Sequence, residues 1–167
     1  MELRKLQQTD APLMLEWMHD PSVVGCLFTN FAEKTLADCQ RFIACSQSGE
    51  EDLNLAIADD RDEYMGTVSL KHIDRARSTA EFAITVRSCA MGKGYSRFAM
   101  TKILKHGIEE LGLSAIYWCV SPKNERAVRF YDKHGYRRTD RVPEHILDRY
   151  PADQSADYIW YIVTEAL

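Results

Sequence analysis

The chain lacks the cysteine pairings that would staple it or hold a metal. Its five cysteines, Cys26, Cys39, Cys45, Cys89 and Cys119, form an odd set with no close Cys-x-x-Cys pair and no Cys–His cluster at ligand spacing. Neither a disulfide framework nor a metal site is expected from such a set. Long apolar runs are missing as well; those present are short and interrupted, so no membrane span is expected. The N-terminus carries Glu2, Arg4 and Lys5 where a signal peptide would have its apolar core. The thiols are therefore read as reduced and mostly buried, in a cytoplasmic protein. A basic excess is absent too. Lys and Arg number 21 against 25 Asp and Glu, a formal net charge of −4, and no nucleic-acid partner is expected.

What is there is the composition of one globular domain spanning 1–167, with 46% hydrophobic and 28% charged residues. A chain of this length removes roughly 70% of its unfolded surface from water and needs no staple. No repeat, low-complexity tract or linker interrupts it.

Periodicity divides the chain into elements. Met1–Leu6 reads as a short opening strand, and Thr9 as the cap of a helix with Leu13, Met14, Trp17 and Met18 on one face. Asp20-Pro21 ends that helix. Thr35, with Asp38 three residues on, has the form of a capping box opening a second helix that turns Leu36, Cys39, Phe42 and Ile43 inward. Ser22–Glu33, with Phe28 and Phe31, is a loop or short helical turn. Three strands follow, Asn54–Ala58, Tyr64–Leu70 and Ala80–Val86. Polar turns at Asp59–Asp62 and His72–Ser78 make them an antiparallel meander. A helix over Ser96–Leu111 ends at Gly112, Ala115–Val120 is a buried strand, and Asn124 starts a helix ending at His134-Gly135. Tyr136–Arg141 and Asp157–Val163 complete the chain as two strands, joined by an irregular stretch containing Pro143 and Pro151. The order predicts an α/β (α+β) fold, a mixed sheet with helices on both faces.

The chemistry concentrates between Glu81 and Arg97. A strand ends at Val86 and Met91-Gly92-Lys93-Gly94-Tyr95-Ser96-Arg97 opens a helix. Glycines there let successive N–H groups converge at the positive end of a helix, a turn suited to a diphosphate. Counting excludes two familiar phosphate loops. A P-loop needs Gly where Arg87 stands and Ser or Thr where Gly94 stands; a dinucleotide fingerprint beginning at Gly92 needs Gly or Ala at Arg97.

The segment resembles motif A of the Gcn5-related N-acetyltransferases (GNAT), a strand followed by Arg/Gln-x-x-Gly-x-Gly/Ala at a helix start. Met91 takes the first position, Gly94 the central glycine and Ser96 the last small one; Met91 and Ser96 depart from the usual residues. Asn124-x-x-Ala127, Tyr131 seven residues after Asn124, and Gly135-Tyr136 match motif B. The segment Glu16–Pro21 resembles the branch containing ribosomal-protein Nα-acetyltransferases and bacterial amino-sugar N-acetyltransferases.

The resemblance implies the GNAT acyl-CoA N-acyltransferase fold, with about seven strands, helices on both faces and a splayed central strand pair. It implies transfer of acetyl from acetyl-CoA to a primary amine of a small molecule or a peptide N-terminus. The pantetheine arm would lie between Ala80–Val86 and Ala115–Val120, paired with backbone at Thr85 and Val86 and reached by Asn124. Met91, Gly92, Lys93, Gly94, Tyr95, Ser96 and Arg97 would wrap the diphosphate. Tyr131 would protonate the leaving thiolate and Glu81 would serve as base, directly or through water. Some relatives place a Glu where this chain has Cys119. Each residue also has a plainer reading: Asn124 as a helix cap, Tyr131 as core, Glu81 as a solvated strand carboxylate, Lys93 and Arg97 as a solvated face. Aromatics and carboxylates in Ser22–Phe31 and Arg141–Ser155, namely Phe28, Phe31, Glu144, His145, Asp148, Tyr150 and Asp153, would wall the acceptor side. A peptide N-terminus, a nucleotide-linked amino sugar, a polyamine and an aminoglycoside all remain open as acceptors. The alternatives are a non-catalytic acyl-CoA-binding or sensing module and a protein-interaction domain with a vestigial cleft. The strand Asp157–Val163 offers an edge through which a homodimer would form.

Overall fold

The computed structural model describes every residue except Phe28, Ser48, Glu50, Ala166 and Leu167, and the side chains of Ala152 and Gln154. Among the described residues seven strands form one sheet in the order β1-β2-β3-β4-β5-β7-β6. They are β1 (Glu2–Lys5), β2 (Leu53–Ala58), β3 (Tyr64–Asp74), β4 (Thr79–Val86), β5 (Ala115–Val120), β6 (Arg137–Arg138) and β7 (Ile159–Val163). The helices are α1 (Ala11–Met18), α2 (Pro21–Val24), α3 (Leu36–Ser46), α4 (Tyr95–Lys105), α5 (Glu125–Lys133), α6 (Glu144–Leu147) and α7 (Ala152–Ser155).

The meander forms as its polar turns predict, with β2, β3 and β4 paired antiparallel. The β4–β5 pair is parallel, and the helix α4 makes the crossover. One face of the sheet carries the main core, where Val68, Leu70, Phe82, Ile116 and Trp118 meet Met100, Ile103 and Leu104 of α4 and Tyr131 of α5. The opposite face has two smaller clusters. Met14 and Trp17 of α1 and Ile43 of α3 cover Ala56 and Tyr64, while Ile146 of α6 covers Ala115, Tyr117 and Ile162. Between those clusters lies a polar strip, in which Asn54, Thr67, Ser69, Thr79 and Glu81 are all buried.

Several elements depart from expectation. Thr9 sits inside a 3-10 turn (Gln8–Asp10), and Pro12 holds the first turn of a helix that starts at Ala11. The capping box at Thr35 and Asp38 forms as read. The strand β3 runs on to Asp74 through an irregularity at His72, whose φ is +50°. The helix expected to reach Leu111 loosens at Lys105 into a π-helical turn over His106–Glu110. Tyr136–Arg141 shrinks to the two-residue strand β6, because Thr139–Arg141 leaves the ladder after one bond from Thr139 N–H to the Trp160 carbonyl. The thiols are not mostly buried. Cys26, Cys45 and Cys89 are exposed on loops and an outer helix face, and Cys39 alone is fully enclosed.

Candidate active site

The central strands part. Pairing between β4 and β5 covers Thr79–Ala115, Ala80–Ile116 and Glu81–Tyr117 and then stops. Yet β4 continues five residues to Val86 and β5 three to Val120. The N–H of Arg87 donates to the Met65 carbonyl at 2.9 Å, so strand alternation turns the backbone groups of Phe82, Ile84 and Val86 toward β5. With no ladder there, these groups face an opening V. Burial falls off at the same place, from Phe82 to the half-buried Ala83–Val86. Arg87 pins the end of β4. Its guanidinium is almost wholly buried and donates to Glu16 at 3.0 and 3.1 Å, to Glu63 at 2.7 Å and to the Tyr64 carbonyl at 3.0 Å.

Just beyond lies the glycine turn. Gly92 and Gly94 take φ of +74° and +89°, and a Cβ built on either would meet nothing within 4 Å. The first helical bond of α4 runs from Phe98 N–H to the Gly94 carbonyl. The N–H groups of Tyr95, Ser96 and Arg97 therefore have no intrahelical partner. Those of Gly92 and Gly94 donate to no backbone carbonyl among the described residues. Five amides thus border a cradle at a helix N-terminus, which fits an anion of diphosphate size. Lys93 and Arg97 are exposed beside it. The Met91 side chain packs toward the α1–α3 cluster, and the Arg126 guanidinium of α5 donates to its sulfur at 2.6 Å.

The helix α5 places the motif B residues. Asn124 caps it, its amide oxygen accepting from Ala127 N–H at 3.2 Å, which leaves the amide NH2 available. Tyr131 is 7% exposed, and its ring packs against Trp118 at 5.5 Å and Tyr161 at 5.0 Å. Its hydroxyl has no hydrogen-bond partner among the described residues, though its oxygen is not sealed from solvent. Burial holds the phenol well above its ordinary pKa, so it stays protonated.

Glu81 is not a solvated strand carboxylate. It is 4% exposed; one oxygen accepts from Arg149 Nη1 at 2.5 Å and the other from the Tyr150 hydroxyl at 2.6 Å. Tyr150 also reaches the Cys119 thiol, and burial pushes that thiol up to about 12, with the Glu81 charge adding to the rise. At neutral pH Cys119 is therefore an inert thiol. Of the expected acceptor walls, Tyr150 reaches Glu81 and His145 Nε2 lies 3.3 Å from Thr79 Oγ1. Phe31 instead stacks edge-on against Trp17 at 5.1 Å, and Phe28 lies outside the described residues. No group of three or more candidate metal-ligating side chains assembles among the described residues.

Comparison with known proteins identifies the family. The profile of the family described as "Acetyltransferase (GNAT) domain" matches residues 1–137, most of the chain. The chain belongs to that family. It is 25% identical over 141 residues to the uncharacterized N-acetyltransferase p20 of Bacillus licheniformis, covering 83% of this chain and 79% of that one. It is 26% identical over 138 residues to a spermidine N(1)-acetyltransferase of Escherichia coli, covering 81% and 67% respectively. Its fold superposes on that of spermidine N-acetyltransferase from Vibrio cholerae, solved with CoA and spermine, with a TM-score of 0.79. That match has 19% identity and covers 97% of this chain and 94% of the other.

As a GNAT acetyltransferase the protein is an acetyl-CoA-dependent N-acetyltransferase, and the splayed β4–β5 pair is the feature its fold was expected to show. Around the opening the acetyltransferase gathers Thr85, Val86, the Met91–Arg97 turn and the capped helix of Asn124 and Tyr131. Three participants escaped the sequence reading. Arg126 was legible as the variable position inside Asn124-x-x-Ala127, but nothing in spacing aimed it at the turn. Arg87 and Arg149 had no local signal, because their carboxylate partners lie 71 and 68 residues away.

Proposed function

We propose that this acetyltransferase moves the acetyl group of acetyl-CoA to a primary amine of a small molecule or a peptide N-terminus, with the cosubstrate's arm between β4 and β5. The observation that carries this reading is the interrupted β4–β5 ladder with the five-amide turn at its open end. Acetyl-CoA supplies an acetyl group activated as a thioester, and the chain's residues do the rest. Val86 N–H faces the opening and polarises the thioester carbonyl. Ile84 and Val86, whose backbone groups face the opening, hold the arm as an added strand, with Thr85 between them bonded to β3, and the Asn124 amide donates to it. Met91–Arg97 amides cradle the diphosphate, with Lys93, Arg97 and Arg126 adding charge. Tyr131, held neutral by burial, donates the proton that the departing sulfur needs.

An amine with pKa about 10.4 is mostly protonated at pH 7, which costs roughly 4–5 kcal/mol unless a base intervenes. Glu81 is that base, reached through a chain of waters because it lies five residues, about 16 Å, along β4 from Val86, with Arg149 and Tyr150 fixing its orientation. The spermidine acetyltransferases among its relatives support an amine acceptor. The deciding experiment pairs CoA-induced thermal stabilisation with thiol release from acetyl-CoA across an amine panel. Stabilisation together with thiol release on at least one amine is expected. Absence of any CoA-dependent shift would remove the cleft assignment.

A further inference from the structure

An open groove of about 820 Å³ lies away from the V. It runs along the β6–β7 edge of the sheet, walled by Tyr117, Tyr158, Trp160 and Ile162 and carrying Arg137 and Arg141. Its charge is lopsided. Arg138 also lines it, but that guanidinium is committed to Asp132 at 3.0 and 2.5 Å and lies over the Tyr161 ring at 5.9 Å. Arg137 and Arg141 have no carboxylate partner among the described residues, and Asp140 is the acid on the wall. Two unpaired guanidinium forks beside three aromatic rings suit a ring compound bearing phosphate or carboxylate. Guanidinium meets such oxygens two at a time, and Tyr or Trp faces take the ring.

The sheet register ties this groove to Glu81. Glu81 pairs with Tyr117, Tyr117 with Ile162 and Ile162 with Arg137. Partners in a ladder share a face, so Arg137 and Glu81 project to the same side, three strand spacings or about 14 Å apart at the backbone. Trp160 of the groove wall packs edge-on against Tyr150 at 5.1 Å, and Tyr150 holds Glu81. The buried Glu81 carboxylate is matched by Arg149 of this same chain, so it is not free to neutralise a polycation.

We propose that this groove is a binding site for an anionic ring compound, and that its natural occupant is the phosphate- or carboxylate-bearing end of the acceptor amine. The placement of an acceptor there rests on the transferase reading; the charge and shape of the groove do not. A polyamine, cationic along its length, meets two unpaired arginines there and is a poor acceptor.

The test titrates the full-length protein, saturated with CoA to block the diphosphate turn, with uridine diphosphate by calorimetry. Wild type, Arg137→Ala, Arg141→Ala and the double variant are compared, none of which touches the V or Glu81. Saturable one-to-one binding is expected in wild type, weakened about 10-fold or more in the double variant with CoA affinity unchanged. Thiol release is measured in parallel with a phosphorylated amino sugar and with spermidine. Competition between uridine diphosphate and the amino sugar marks the groove as the acceptor's own; binding without competition marks it as the site of a separate anionic effector of the same chemistry. No saturable binding, equal binding by the double variant, or displacement of the probe by spermidine would overturn the site. Turnover of spermidine without probe binding would overturn the groove and keep the transferase; probe binding without turnover of any amine would do the reverse.

Discussion

Tyr150 and Glu81 lie 69 residues apart in sequence and meet in a 2.6 Å hydrogen bond across the polar strip of the sheet. The bond fixes a buried carboxylate whose other oxygen is taken by Arg149, so the proposed base is held by the segment that joins α6 to α7.

Tyr150→Phe leaves a buried carboxylate oxygen without its donor, a loss of about 1–3 kcal/mol. Denaturant unfolding should show the midpoint falling with the slope unchanged. Glu81→Gln keeps one accepting oxygen but turns an amide toward the second donor and leaves Arg149 without its carboxylate, so its midpoint should fall as well, while kcat drops about 100-fold with CoA affinity retained. Equal turnover in wild type and Glu81→Gln would transfer the base role to another group.

Tyr131→Phe removes one hydroxyl from a packed aromatic cluster. Turnover is expected to fall about 10-fold or more, with CoA-induced stabilisation intact. Since burial raises the phenol's pKa, it stays protonated past the ordinary tyrosine range, and any alkaline fall in kcat below that range should survive in Tyr131→Phe. Loss of that limb in the variant would contradict the assignment.

Gly94→Ala tests the cradle. Its φ of +89° strains any side chain by about 1–2 kcal/mol, and the new methyl would project into space that is otherwise empty. CoA stabilisation should be lost or greatly reduced, whereas Arg126→Ala should raise KM for acetyl-CoA several-fold with kcat kept and the fold untouched. Full CoA binding by Gly94→Ala would move the diphosphate elsewhere.

The Cys119 thiol, pushed up to about 12 by burial, carries about one thiolate in 10⁴ at pH 8. Alkylation followed by peptide mass spectrometry should label the exposed Cys26, Cys45 and Cys89 first and leave Cys119 nearly untouched. The sign is fixed: raising the pH toward 12 should accelerate Cys119 labelling. Labelling of Cys119 as fast as Cys26 at pH 8 would exclude its burial.

Much of this architecture was legible because local chemistry dictated it. The Thr35–Asp38 box, the meander turns and the left-handed glycines Gly92, Gly94, Gly112 and Gly135 all act within a few residues of themselves. Motif spacing pointed to the β4–β5 gap for the same reason. What sequence could not show was pairing at distance. Glu81 reads as a solvated strand residue until Arg149 and Tyr150 close over it, and Met91 reads as a departure from a motif until Arg126 is seen resting on its sulfur. The shortened β6 is a second kind of miss. An edge strand exists only as far as its neighbour pairs with it, and Thr139–Arg141 turns away to wall the groove.

Among the described residues, three ladder pairs join β4 to β5, with Ser114 N–H donating to the Ser78 carbonyl at their base. A hydrogen-bonding guest lodged in the gap beyond them acts as the missing rungs, so occupancy should stiffen the joint between the two halves of the sheet more than either half itself. Amide exchange slowed chiefly at 82–86 and 118–120 would be its signature. Tolerance to heat in this enzyme should therefore rise with how much thioester or spent thiol surrounds it.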